Sequence, residues 1–138
     1  MKFKYSEYSA RDGSTLFRPT VPITFKSKSQ FIFTEAIIDS GADFTILPIE
    51  IAGALGLALN AKAKTTFLGA GNNPFTVYPS PEVIEHILRQ SGFRPIQWKS
   101  IVFFAELQPA ILLGHKGFLE HFKVTLDGQR KELEINTF

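Results

Sequence analysis

Ile37-Ile38-Asp39-Ser40-Gly41-Ala42-Asp43-Phe44-Thr45-Ile46-Leu47-Pro48 runs from an apolar pair through a short polar stretch into a second apolar segment. Upstream, Phe31 to Ile38 is apolar apart from Thr34 and Glu35, which reads as a buried strand delivering a polar turn. A carboxylate placed straight after such a strand is partly desolvated, and Asp39 is that carboxylate. Ser40 offers a hydroxyl that can hydrogen-bond across an interface, and Gly41 lets backbone amides approach the carboxylate closely. An Asp-Ser-Gly triplet alone also fits a plain turn capped by its Asp, so the surroundings decide.

Working outward, Thr20 to Lys26 alternates apolar with polar positions, as a strand with one wet face should. Phe44 to Pro48 reads as a further strand, and Ile49 to Leu57 as a short helix closed by Gly56. Between Thr65 and Tyr78 the pattern is strand, glycine-containing turn, strand, which predicts a β-hairpin with a mobile tip at 69–74. Segment 80–92 fits either a strand or a helix. Ser80-Pro81-Glu82 is a good helix start, and Val83, Ile84, Ile87 and Leu88 have helical spacing. Strands are expected over Ile96 to Ala105 and Ala110 to Leu113, a short helix over Lys116 to Phe122, and a closing hairpin from Lys123 to Ile135 around Gly128. The apolar strand ending in Asp39-Ser40-Gly41 has an echo about seventy residues later, where Ile111-Leu112-Leu113 runs into Gly114. Both place a glycine directly beyond a buried strand.

Composition bounds the rest. At 138 residues, with 44% hydrophobic and 20% charged residues, the chain reads as one globular domain spanning 1–138. Fourteen phenylalanines tilt the expectation toward sheet. Fifteen basic groups stand against 13 acidic ones without clustering, which argues against nucleic acid as a partner. No segment has the form of a signal peptide and no apolar run approaches a bilayer span, so no membrane association and a cytoplasmic location are expected. With no cysteine, the chemistry must come from oxygen or imidazole groups. His86, His115 and His121 lack metal-helix spacing, and the run Gly69 to Pro74 carries a proline where a dinucleotide fingerprint needs its third glycine. No metal and no cofactor are expected.

Ile37 to Pro48 resembles the active-site strand and loop of retroviral-type (retropepsin-like) aspartic proteases, in which an apolar pair precedes Asp-Thr/Ser-Gly-Ala and an apolar strand follows. Ala110 to Gly114, leading through Gly117-Phe118-Leu119 to Phe122 to Asp127, resembles the family's later apolar-apolar-Gly strand, short helix and final strands. Leu68-Gly69-Ala70-Gly71 lies where the family has its flap, and Arg18-Pro19 to Phe25 resembles the strand before the active-site strand in cellular members. The resemblance covers residues 18–135 in the family's order.

It implies an all-β fold, mainly strands with one or two short helices: a half-barrel whose active site forms at a homodimer axis. Each subunit then gives one catalytic Asp39, with Ser40 and Gly41 supporting the loop. The resemblance places Ala42, Asp43, Leu68, Gly69, Ala70 and Gly71 against a peptide or protein substrate. It also leaves room for a non-catalytic dimeric module of the same fold that holds a peptide without cutting it. Two departures stand out. Viral members usually carry an Arg after the second strand's glycine, paired with the acid matching Asp43, whereas this chain has His115 and Lys116. The anchoring of Asp43 is therefore expected to be weaker, or pH-sensitive through His115. Ser80 to Phe93 is longer than viral flap-return strands and is expected to reshape the cleft.

Overall fold

Short alternating segments build the molecule strand by strand. The computed structural model describes residues 1–138 and contains fourteen strands and one α-helix. β1 (Lys2–Lys4), β2 (Ser6–Ser9) and β3 (Thr15–Arg18) precede β4 (Thr20–Ser27) and β5 (Gln30–Ile38). Next come β6 (Ile46–Pro48), α1 (Ile49–Ala54), β7 (Thr65–Leu68), β8 (Pro74–Pro79) and β9 (Ile84–Leu88). The chain ends with β10 (Ile96–Ser100), β11 (Phe103–Ala105), β12 (Leu112–Leu113), β13 (Phe122–Asp127) and β14 (Glu132–Thr137). The fold is all-β, as the residue pattern implies.

Nine strands form one curled sheet in the order β10-β9-β4-β5-β12-β6-β11-β8-β7. β4 and β5 pair antiparallel along their whole length, from Thr20 opposite Ile37 to Ser27 opposite Gln30. One face of this pair carries Val21, Ile23 and Phe25, all fully buried, beside Ala36 and Ile38. Each such large apolar side chain contributes about 1.5–3 kcal/mol relative to exposure. Phe104, Leu113, Phe118, Leu133 and Ile135 close the same core from the later part of the chain. A second sheet, β1-β14-β13, covers one end, and Met1 is tied in by its ammonium group, which donates to the Ile135 carbonyl at 2.9 Å. β2 and β3 form a separate two-stranded ribbon.

Gly56 ends α1 as expected: its φ of +69° is left-handed, its N–H donates to Gly53 O at 3.0 Å, and Leu57 N–H donates to Ala52 O at 2.9 Å. Segment 80–92 resolves as strand β9, paired with both β4 and β10. Ile84, His86, Ile87 and Leu88 are all buried because this strand is covered on both faces, and two-sided burial imitates helical spacing.

Four expectations need correction. The strand expected to be buried over Phe31 to Ile38 is buried only at Ala36 and Ile38, while Phe31 and Phe33 are exposed. Ile96 to Ala105 is two strands, because Ser80 captures Val102 between them: Ser80 N–H donates to Val102 O at 2.7 Å and Ser80 Oγ accepts from Val102 N–H at 3.1 Å. β10 therefore stays with β9, while β11 pairs parallel with β6 and antiparallel with β8. The helix expected over Lys116 to Phe122 shrinks to a 3₁₀ turn at Leu119–His121, since Gly117 is left-handed at φ +94° and Phe118 is non-helical. The strand expected over Ala110 to Leu113 retains only Leu112–Leu113. No helix is long and apolar enough to cross a membrane.

Candidate active site

β5 delivers Asp39 into a junction of three strands. β12 is inserted between β5 and β6, parallel to the first and antiparallel to the second, although it comes about seventy residues later in the chain. Ile37 N–H donates to Ile111 O at 2.8 Å and Asp39 N–H to Leu113 O at 3.0 Å, so the backbone is fixed up to the carboxylate itself. Asp39 is half-buried, and its Oδ1 accepts the Gly41 N–H at 2.9 Å. A β-carbon at Gly41 would stand 3.2 Å from that oxygen, which is why the smallest residue sits there. Ala42 N–H donates to Asp39 O at 3.2 Å and closes the turn.

The glycine echo has a geometric cause. Gly114 packs so tightly on this loop that an added β-carbon would lie 2.4 Å from Phe44 O and 2.6 Å from Ala42 O. The next two residues bind the loop through their backbones: His115 N–H donates to Ala42 O and Lys116 N–H to Asp43 O, both at 2.9 Å. Thr45, fully buried, fastens the other side. Its hydroxyl donates to Lys116 O at 3.1 Å and accepts from Gly114 N–H at 3.3 Å. Sequence reading missed Thr45, and the signal was a lone hydroxyl inside an apolar run, which needs partners once buried.

The His115 ring does not anchor Asp43. Its Nε2 lies 2.7 Å from Ser40 O, so the imidazole clasps the loop one residue past Asp39. The Asp43 carboxylate is exposed and takes part in no hydrogen bond or ion pair. Ser40 is exposed too, and within the chain it bonds through its carbonyl.

Hairpin β7–β8 overhangs the loop. Its tip is turned by Gly71 and Asn72, left-handed at φ +70° and +59°, and closed by Gly69 N–H donating to Asn73 O at 2.7 Å. Phe67, one residue pair below the tip, stacks on Phe44 with centroids 4.7 Å apart and lies 4.9 Å from the Phe103 ring, which ties the hairpin to the loop that follows Asp39. Between hairpin and loop lies a groove of about 670 Å³. Asp39, Gly41, Ala42, Asp43, Leu68, Gly69 and Ala70 line it, together with apolar residues such as Ile46, Phe75 and Leu112. Ser40 and Gly71, also singled out from sequence, stand outside that lining. No three His, Asp or Glu side chains gather as a metal-binding group.

The histidine with a displaced pKa lies elsewhere. Burial pushes His86 down from 6.5 to about 4, opposed by its hydrogen bond to Ile84 O and reinforced by His121. It packs between Phe25 and Trp98, each 5.0 Å away, and Trp98 in turn donates its indole N–H to Gly117 O at 2.8 Å.

No protein-family model matches the chain, and no curated protein matches its sequence. Among solved structures, a retropepsin-like aspartic protease from Rickettsia conorii is similar over 98% of this chain and 96% of its own, with a TM-score of 0.58 and 19% sequence identity. At that identity the likeness speaks for architecture, and it agrees with the strand insertion and overhanging hairpin described above: the chain has the retropepsin-like all-β fold.

Proposed function

We propose that the chain is an aspartic endopeptidase that acts as a homodimer, with Asp39 of each subunit forming a catalytic pair. The observation that carries this reading is the carboxylate of Asp39, held by the Gly41 N–H just beyond the buried end of β5 and facing a groove roofed by a hairpin. The chain has a single Asp-Ser-Gly triplet, so two carboxylates of this kind meet only when two chains do.

Two carboxylates brought together cannot both ionise cheaply, so the pair holds one shared proton, as in aspartic proteases generally. The ionised Asp39 takes a proton from a water molecule between the two, and the water oxygen attacks the peptide carbonyl carbon. The protonated partner donates to the carbonyl oxygen, giving a neutral gem-diol. A proton then passes to the amide nitrogen, the C–N bond breaks, and the products are a carboxylic acid and an amine. In this reading the Ser40 hydroxyl reaches across the dimer axis, and Gly41, Ala42 and Asp43 bind the substrate backbone. Leu68 to Gly71 closes over the peptide and excludes water.

Incubation with a peptide library followed by mass spectrometry tests this. The native protein is expected to cleave, and Asp39→Asn to fold normally and lose several powers of ten in rate, because an amide cannot serve as the base. Peptide binding without cleavage by the native protein would overturn the reading in favour of a non-catalytic module of the same fold.

A further inference from the structure

Asp39 and Asp43 are the only charged side chains lining the groove, whose remaining surface is apolar or neutral. Asp39 is held by its own turn, whereas the exposed Asp43 carboxylate has no Lys, Arg or His nitrogen within 4 Å. The neighbouring His115 ring is turned to Ser40 O instead, 2.7 Å from its Nε2. Backbone pairing of Asp43 O with Lys116 N–H at 2.9 Å fixes the residue while leaving its carboxylate open. Beside it, the stacked rings of Phe44 and Phe67 form an apolar wall against which an aliphatic stem can lie. The whole chain carries a formal charge of +2, so this negative groove runs against the general balance of the molecule.

From this we infer that Asp43 selects peptides carrying a lysine or arginine close to the bond being cut, with the stem on the Phe44–Phe67 wall and the charged head on the carboxylate. The inference rests on the peptidase reading and gives it a substrate class. A twofold pair of chains brings an Asp43 to each end of the joined groove, so the preference extends to both sides of the scissile bond. Steering of cationic peptides by such a cleft falls with salt.

The test uses the full chain and a peptide that it cleaves, with Lys, norleucine or Glu placed two or three residues from the scissile bond on either side. The expected kcat/KM for Lys exceeds that for norleucine by about fivefold, the size of a favourable, partly exposed ion pair, with Glu lowest. The Lys-to-norleucine ratio is expected to approach one in Asp43→Asn, and also toward about 1 M salt, where the screening length is about 3 Å. Equal rates for Lys and norleucine, or a ratio that survives Asp43→Asn, would overturn the inference. If no peptide is cleaved, the peptidase reading falls by itself, and fluorescence anisotropy of the same labelled peptides on the native protein and Asp43→Asn decides the inference by the same ratio of Kd values.

Discussion

Gly114 presses its α-carbon into the backbone of Phe44, so that even a methyl group there would stand 2.4 Å from the Phe44 carbonyl oxygen. Two segments distant in sequence are thereby locked face to face, and the lock sets the position of the loop that carries Asp39. The atoms met are backbone and the place of a β-carbon is itself set by the backbone, so no side-chain rotation relieves the clash.

Gly114→Ala is therefore expected to lose about 2–4 kcal/mol of stability, because the loop must retreat and strain the His115 and Lys116 amide bonds to Ala42 and Asp43. Urea unfolding measures it. Gly53→Ala is the matched control, since a β-carbon there meets nothing within 4 Å and the residue lies in α1. It is expected to gain about 0.5–1 kcal/mol. Similar losses in both variants would contradict this account of Gly114.

Much of this arrangement was legible in the sequence because burial and backbone contact leave simple marks. An apolar strand that stops at Asp39, and another that stops at Gly114, are what a threaded junction requires. β1 to β3 were illegible, since strands such as Lys2–Lys4 and Ser6–Ser9 run for three or four residues, too short for their alternation to stand out. The partner of His115 was illegible for a different reason: one imidazole after Gly114 can reach either Asp43 or Ser40, and only three-dimensional placement chooses Ser40 O.

The hairpin tip separates two glycines that look alike in sequence. Gly71 is left-handed at φ +70°, whereas Gly69 is extended and a β-carbon on it would make ordinary contacts of 3.5 Å with Asn73 O and Phe75. Gly71→Val is expected to cost about 1–3 kcal/mol of local strain. The tip is exposed and remote from the core, so it relaxes out of the left-handed turn instead of holding that strain: global stability should move by under about 1 kcal/mol while turnover, which needs the native tip, falls by about tenfold or more. Gly69→Ala should remain close to native in both. Steady-state kinetics beside thermal melts separates the cases, and equal damage in the two variants would assign the hairpin a purely structural role.

Activity is expected to disappear on dilution, because one chain supplies one Asp39. Specific activity measured across a concentration series should fall along the same curve as the dimer fraction seen by sedimentation. A monomer with full activity would remove the paired-carboxylate mechanism.

The pH dependence of stability should be set in part by His86. Its Nδ1 lies 2.8 Å from Ile84 O, while its buried Nε2 has no partner, so a second proton on the ring would stand uncompensated among Phe25 and Trp98. The folded-state pKa is about 4 against 6.5 for the free side chain. Between those values the unfolded chain binds a proton that the folded chain refuses. The stabilisation is thus fully present above about pH 6.5, declines as pH falls, and is gone near pH 4. The gap corresponds to about 3 kcal/mol. Denaturant unfolding from pH 7 to pH 4 should show this slope, and His86→Leu should flatten it even though the variant begins less stable through the lost bond to Ile84 O. An unchanged slope would exclude His86 as its source. A carboxylate pair sharing a proton favours turnover on the acid side of neutrality, while His86 weakens the fold in the same direction. The carboxylate pair thus closes the working range from above and His86 closes it from below, so the activity profile of His86→Leu should extend further into acid than that of the native chain.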